Sequence, residues 1–167
     1  VCVIPITLER DFSKPETVEW CLDIIRENPG TSVHGSLPCT AWCPRQSMNI
    51  SQAVKKGYGD KIKNELKERH DFSRLFLLRN FILVAETALD HGGHVSFEWP
   101  SYSYGWHIPE LQEFVARNNL YHARPAGCSF KMKNREGVII KKEWSFVCSN
   151  GKLADVLNCY QCRCTTA

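Results

Sequence analysis

Residues 31–40 read TSVHGSLPCT, an apolar run that ends at a proline and is followed at once by a cysteine. Proline has no amide N–H to give to a sheet ladder, so a strand is predicted over Thr31–Leu37 with its end at Pro38. The pattern returns at residues 94–100, HVSFEWP, where the run His94–Glu98 predicts a second strand that ends shortly before another proline. These two strand ends determine the expected fold, and a functional site is expected beside them.

Apolar residues recur at helical spacing between and around these strands. A capping-box pattern at Ser13–Glu16, with proline in the first turn, begins a helix that is expected to reach about Glu27. The other expected elements, in chain order, are a strand at 2–7, an irregular stretch at 39–60, a long helix broken near 70–71 and closed at 92–93, a helix at 109–119, a strand at 120–124, and a hairpin made of the runs 128–132 and 142–149.

Strands that alternate with helices are typical of α/β domains. We therefore predict a Rossmann-like, mostly parallel sheet flanked by helices over residues 1–157, with a C-terminal antiparallel hairpin, followed by a Cys-rich tail at 158–167. Because the first residues read as a strand already under way and no Met precedes them, we expect a fragment of a larger domain that is incomplete at its N-terminus. Ligands of such sheets bind beyond the carboxyl ends of the strands, where both prolines fall.

The composition is that of an ordinary globular protein. Hydrophobic residues make up 43% of the chain, charged residues 23%, and the net charge is only +3, so no chain-wide basic field indicates a nucleic-acid partner. No run of 18 apolar residues occurs, and no membrane partner is expected. Nine cysteines, an odd number that lie mostly singly in apolar stretches, favour free thiols in a reducing compartment, the cytoplasm or the nucleus.

Two side chains at the predicted strand ends could carry chemistry. Cys39 follows a rigid proline and precedes an irregular loop, which suits a nucleophile once the thiol becomes a thiolate; the alternative is a buried structural cysteine. Glu98 ends a buried strand, and a carboxylate there needs either a partner or a raised pKa. A raised pKa would let Glu98 give a proton to a substrate near neutral pH, whereas a salt bridge to a nearby Lys or Arg would make it structural.

Together these strand ends resemble class I S-adenosylmethionine-dependent methyltransferases of the cytosine-5 type. Ser36–Thr40 looks like the family's Pro-Cys motif at the end of one strand, and Ser96–Trp99 occupies the place of its Glu motif at the end of the next. The resemblance implies that Cys39 attacks carbon 6 of a cytosine, so that the neighbouring carbon can accept a methyl group, and that Glu98 contacts the ring nitrogens. It also implies that the target base leaves its stack in the nucleic acid.

The same resemblance implies S-adenosylmethionine as cofactor, with Asp11 and Pro38 on its rim, and it covers the catalytic half of the family's domain only. A second resemblance extends along most of the chain, including residues 92–100 and 141–144. It is to uncharacterised viral or mobile-element-associated open reading frames, and it implies no activity.

Two other functions stay open. No Gly-rich loop follows a strand before Asp11, as a methyl-donor site of this family would require. This favours a catalytically inactive interaction module that keeps the methyltransferase fold. A Cys-dependent hydrolase is the third candidate, and it needs a histidine within reach of Cys39.

Aromatic and basic side chains are candidates for contacts with an extruded base and with phosphates. The loop from Trp99 to Trp106 holds many aromatic residues, which are difficult to bury in a loop and therefore indicate a binding wall. Lysines at 55–67 and 131–142 could bind phosphates or simply form a solvated surface. The candidate substrate-binding residues are Thr40, Trp42, Trp99, Trp106, Lys141 and Lys142.

The tail contains the spacing Cys159-x-x-Cys162-x-Cys164, which resembles part of a zinc knuckle. Zinc in structural sites takes four ligands in a tetrahedron, so three thiolates leave one position to fill. Cys148, Cys128 or a histidine beyond the chain could supply that ligand. A redox pair or a chance spacing is the alternative to a metal site.

Overall fold

The computed structural model describes residues 2–7 and 10–164. The chain divides into two compact units, the first formed by Val1–Val33 and Gln46–His94 and the second by His34–Arg45 and Val95–Ala167. Each unit is therefore built from two stretches that are separated in sequence, and composition alone does not mark the division.

The first unit is helical. Its helices are α1 (Pro15–Glu27), α2 (Arg45–Lys55), α3 (Gly59–Phe72) and α4 (Arg79–Asp90), and a π-helical turn at Ser73–Leu78 joins α3 to α4. The apolar stripe of α1 packs against α4 in a small core. That core contains Val18, Cys21, Leu22, Ile25, Val84 and Ala88.

The helix predicted to begin at Ser13–Glu16 is confirmed as α1, with proline in its first turn, but the capping box is not formed, because the N-cap residue is Lys14 and it makes no side-chain capping bond. The break predicted near residues 70–71 is wrong, because helical backbone continues through that point into the π-helical turn. The predicted end at the glycine pair is confirmed, since α4 closes just before Gly92, whose φ is +77°. Glycine is favoured at such a helix end because a side chain there would strain the left-handed backbone.

Two predicted elements of the first half differ from the structure. Residues 2–7 form no strand, and the apolar run is open to solvent, since Val3 is 80% exposed and Ile4 is 50% exposed. The stretch 39–60 is not irregular, because it contains a 3-10 turn at Thr40–Trp42 and the helix α2. Helix α2 buries only Ala53 among its residues, so it has no apolar stripe from which its periodicity could be read.

The second unit holds a four-stranded sheet in the order β1 (Val33–Gly35), β2 (Val95–Pro100), β4 (Trp144–Cys148) and β3 (Tyr121–Ala123). Strand β4 is antiparallel to both β2 and β3. Contacts between the first two strands keep one register, with 34 beside 96, 36 beside 98 and 37 beside 99, which makes β1 parallel to β2. The fold is α/β with a mixed sheet, so the prediction of a mostly parallel one is corrected.

The predicted strands at 94–98 and 120–124 and the helix at 109–119 are confirmed as β2, β3 and α5 (Pro109–Arg117). The predicted hairpin is only partly right. Residues 128–131 are turns, and the partner of β4 is β3, while a small hairpin survives as the single bridge between Lys133 and Ile139. A final helix, α6 (Gly151–Asn158), contacts β3 and β4.

Alternation along β2 separates two faces of the sheet, because successive side chains of a strand point to opposite sides. Phe97 and Trp99 are fully buried on one face, where both rings make edge contacts with Trp106. Ser96 and Glu98 lie on the other face. The carboxylate of Glu98 and the ring of Trp99 therefore lie on opposite faces of the sheet.

Candidate functional site

A row of polar side chains joins β1 to β2 on the Glu98 face. His34 Nδ1 and Ser96 Oγ share a hydrogen bond of 2.9 Å, and the Ser36 hydroxyl donates a short hydrogen bond to Glu98 Oε1. The second carboxylate oxygen, Glu98 Oε2, is buried and has no hydrogen-bond partner within residues 2–7 and 10–164. Buried polar oxygens are normally satisfied, so this one is available to form a hydrogen bond with a ligand.

Glu98 has a serine rather than a cation as its partner. The salt bridge considered from the sequence is not among the ion pairs of the residues that the structure describes. Nearby, partial burial lowers the pKa of His34, and the charge of Glu98 opposes this effect. The ring of Phe146 stacks on His34 with centroids 5.7 Å apart, which helps to exclude water from the imidazole. His34 is therefore favoured in its neutral form.

Cys39 follows the same strand end as Ser36. The carbonyl oxygen of Leu37 accepts a hydrogen bond of 2.6 Å from Trp99 Nε1, which fixes the chain two residues before the thiol. Cys39 is half-buried and precedes the 3-10 turn, where its carbonyl accepts from the Trp42 N–H at 3.0 Å. Three residues of chain span at most about 11 Å, so the Cα atoms of Ser36 and Cys39 lie within that distance. The thiol and the Glu98 carboxylate thus belong to one end of two paired strands.

The other residues predicted near this site differ in position. Thr40 is exposed and Trp42 is half-buried on the turn after Cys39, and Pro38 is exposed beside it. Asp11 belongs to the first unit, where its Oδ1 accepts hydrogen bonds from the Ser13 N–H and hydroxyl. These bonds lower the pKa of Asp11 and use the carboxylate to shape the turn before α1.

The aromatic loop after β2 lines a separate cleft of about 660 Å³. Tyr102 and Tyr104 are both more than half exposed at this cleft, and half-buried Trp106 lies beside them, so three aromatics of the predicted wall line an open surface. Trp99 is 1% exposed and lies in the core, so the substrate-stacking role predicted for it is corrected. Ser145, which also lines the cleft, pairs with Trp99 across the sheet, and the cleft is therefore on the face opposite Glu98.

The candidate lysines are divided between the two units. Lys141 is exposed on the segment before β4, and Lys142 places its Nζ 4.8 Å from the ring centroid of Trp144. The lysines at 55–67 are in the first unit, on α2 and α3 and the turn between them. The single site expected from the sequence is thus distributed over several surfaces.

Three thiols in the second unit form a compact cluster. The sulfur atoms of Cys128, Cys162 and Cys164 all lie within 4.8 Å of one another. A hydrogen bond from the Cys164 backbone, and then one from the Cys128 thiol, lowers the pKa of Cys162, whereas the charge of Glu143 opposes the shift. The pKa of Cys164 is raised by the two neighbouring thiols. Three sulfur ligands that close together could hold a metal ion.

One of the three metal ligands predicted from the tail is wrong. Cys159 is not in the cluster, because its thiol donates to the Asp155 carbonyl at 3.4 Å at the end of α6. Cys128, which was considered as a fourth ligand, takes its place. Cys148 is fully buried, and its thiol donates to the Asn150 carbonyl. Spacing in the tail identified two of the three sulfurs, but only the fold brings in a cysteine from residue 128.

Among the described residues, no helix combines the length and the apolar character that crossing a membrane requires. A scan against protein-family models, a search of curated proteins and a search of solved structures each gave no match to this chain. A function for this chain therefore depends on its fold class, the polar row, the cleft and the thiol cluster.

Proposed function

We propose that this chain is the base-activating half of a methyltransferase-like domain that acts on cytosine in nucleic acid. The observation that carries the proposal is the parallel pairing of β1 with β2. It supports a thiol, Cys39, and a carboxylate with an unsatisfied buried oxygen, Glu98, at the same end of neighbouring strands. This is the arrangement that the resemblance to cytosine-5 methyltransferases requires.

The strand order adds support for the finer fold assignment. The sequence predicts parallel strands followed by antiparallel pairing towards the C-terminal end of the sheet. Here β4 lies between β2 and β3 and is antiparallel to both. We accordingly propose that the second unit is the C-terminal half of a Rossmann-like methyltransferase sheet.

The chemistry assigned to this chain is addition to the pyrimidine ring. The Cys39 thiolate forms a bond to carbon 6, and the electron pair of the carbon 5–carbon 6 double bond moves towards carbon 5. Glu98 Oε2 and a ring nitrogen share a proton in a hydrogen bond, which stabilises the charge that develops on the ring. Carbon 5 then takes a proton from water, loses one in return, and the thiolate leaves. Every atom is recovered, so the cycle needs no co-reactant.

S-adenosylmethionine would supply the methyl group in the complete reaction. The described residues do not by themselves fit this cofactor, because Asp11 is engaged by Ser13 at the start of α1 and no Gly-rich turn is found before it. Base activation is therefore the step that this chain's own residues support. It can be measured without any methyl donor.

The test is exchange of the carbon 5 hydrogen of cytosine in an oligonucleotide incubated in deuterium oxide, followed by mass spectrometry. Wild type is expected to exchange this hydrogen, Cys39→Ala to lose at least 100-fold in rate, and Glu98→Gln to lose about 100- to 1,000-fold, as is typical of acid–base and charge-stabilising groups. Cys43→Ser is the matched control, since Cys43 is a half-buried thiol four residues away. Equal exchange by wild type and Cys39→Ala contradicts the proposal.

The interaction-module alternative has its own observation, the use of Asp11 as a local turn residue. It predicts oligonucleotide binding with no hydrogen exchange. For the hydrolase alternative the structure offers little support, because no hydrogen bond joins the Cys39 thiol to an imidazole in the portion of the chain that is described.

For the thiol cluster, the ion that we propose is zinc. Thiolates select soft or borderline metals, and zinc sites are commonly built from cysteines of which two are close in sequence. Cys162 and Cys164 are two residues apart and Cys128 comes from a distant loop, which gives three of the four usual positions.

A further inference from the structure

Residues 129–142, which we name the arm, project from the second unit with little packing of their own. Residues 130–139 are all exposed, including the apolar side chains of Phe130, Met132, Val138 and Ile139. Backbone bonds from Ile140 N to Met132 O at 2.8 Å and from Asn134 N to Val138 O at 2.9 Å close a short hairpin. A two-stranded hairpin of this length is marginally stable in water, so it needs support at its base.

The base of the arm is fastened to the tail. The Ala126 N–H donates to the Tyr160 carbonyl at 2.9 Å, and the Ser129 hydroxyl donates to the Gln161 carbonyl at 2.6 Å. The rings of Phe130 and Tyr160 stack with centroids 4.5 Å apart. These contacts hold together the two segments that carry the clustered thiols. A metal bound there would join the tail to the base of the arm.

The arm concentrates the positive charge of the chain. The arm, residues 129–142, holds five cations and one anion, a net charge of +4, whereas the formal excess of all 167 residues is +3. The cations are Lys131, Lys133, Arg135, Lys141 and Lys142. A protruding basic hairpin with interleaved apolar groups fits a phosphate backbone better than it fits a protein core.

We propose that the arm binds the phosphate backbone of nucleic acid and that a metal held by Cys128, Cys162 and Cys164 keeps it in the binding conformation. Each thiol gives up its proton when the metal binds, and no oxidation or reduction occurs. Nucleic acid is chosen over an anionic membrane because the proposed substrate is a nucleic-acid base, and in this one respect the inference rests on the proposed function.

Metal binding is tested with cobalt, whose thiolate complexes absorb strongly in the near ultraviolet. The full chain is expected to bind one cobalt ion, which zinc displaces. Cys128→Ser and Cys162→Ser should lose most of the charge-transfer absorption, whereas Cys159→Ser, whose thiol donates to the Asp155 carbonyl in α6, should keep it. Equal spectra for Cys159→Ser and Cys162→Ser, or no cobalt binding by wild type, would overturn the metal site.

Phosphate binding is tested by fluorescence anisotropy on a labelled 20-base-pair duplex over a series of salt concentrations. Each phosphate contact contributes about 0.9 to the slope of log K against log salt, so K131Q/K133Q/R135Q should lower that slope by about 2.7. The matched control K14Q/R79Q/K152Q removes the same charge from exposed positions outside the arm and should change it little. Equal slopes for the two variants would overturn the arm as the binding surface.

The coupling between metal and arm is tested by repeating the duplex titration after chelation and with Cys162→Ser. Both are expected to weaken binding at least 10-fold, and Cys159→Ser is not. Undiminished binding by the metal-free protein refutes the coupling. Binding to phosphatidylserine vesicles with none to the duplex refutes the choice of nucleic acid. Cys39→Ala should bind the duplex normally, so failure of base activation is distinguishable from failure of the arm.

Discussion

Trp99 is the side chain whose replacement best tests how the strand end before Cys39 is held. Trp99→Phe keeps an aromatic ring but removes the N–H that donates to the Leu37 carbonyl at 2.6 Å. A carbonyl left without its donor costs about 1–3 kcal/mol. The smaller ring leaves a void in a position that is 1% exposed, which adds about 1 kcal/mol. We expect the free energy of unfolding to fall by about 2–4 kcal/mol.

The assay is urea unfolding followed by circular dichroism, with Trp106→Phe as the control. Trp106 Nε1 donates to the Pro100 carbonyl at 3.1 Å from a half-buried position, where water can replace the donor, so its loss should cost about 0.5–1.5 kcal/mol. Trp99→Phe should also slow hydrogen exchange at cytosine, because the Leu37 carbonyl positions the chain that leads to Cys39. A loss no larger than that of Trp106→Phe refutes the view that this hydrogen bond anchors the strand end.

Three further predictions concern packing, pH and the metal. Gly105→Ala should lower the free energy of unfolding by about 1–3 kcal/mol in urea titrations, because a Cβ there would overlap the ring of Trp99. His34 should make stability pH-dependent: burial lowers its folded-state pKa below the unfolded value, so the unfolded chain binds the proton first as pH falls. Its contribution should be complete above the ordinary histidine pKa of about 6.5 and should be lost as pH falls from there through the lowered folded-state pKa, and His34→Gln should flatten that decline below about pH 6.5. Zinc should raise the free energy of unfolding by up to about 4 kcal/mol through closure of the ring from residue 128 to residue 162, and a chelator should reverse the gain; no change on chelation contradicts this.

Elements with a local signal in the sequence were the predictable ones. Helix α1 has a proline at its start and four buried residues on one stripe, and β2 alternates before its proline, so both could be placed from the chain alone. Helix α2 buries only Ala53 and gave no periodicity. The apolar run at 2–7 looked like a strand, but strand formation depends on a partner, and sequence does not show whether one is present.

For the candidate site as well, features with a local sequence signal could be predicted, and features that depend on contacts distant in sequence could not. The two prolines led to the two strands but not to their exact ends, because β1 ends at Gly35 and β2 runs through Pro100; β1 indeed pairs with β2. Strand alternation, however, sends Glu98 and Trp99 to opposite faces, which a motif read as a continuous string does not convey. The tail spacing identified Cys162 and Cys164, but the replacement of Cys159 by Cys128 depends on where the chain folds back.

Alternation along β2 gives the neighbouring residues Glu98 and Trp99 separate roles, so replacing one should not have the same effects as replacing the other. Glu98 faces the polar row with one carboxylate oxygen unsatisfied, and Trp99 faces the core with its N–H on the Leu37 carbonyl. Replacing the Glu98 carboxyl group by an amide should hardly lower stability, because Oε2 makes no hydrogen bond that could be lost. Glu98→Gln should therefore reduce hydrogen exchange at cytosine with little change in unfolding, whereas Trp99→Phe should change both. A Glu98→Gln variant that unfolds as readily as Trp99→Phe would make Glu98 a structural residue, and the proposed base activation would lose its acid.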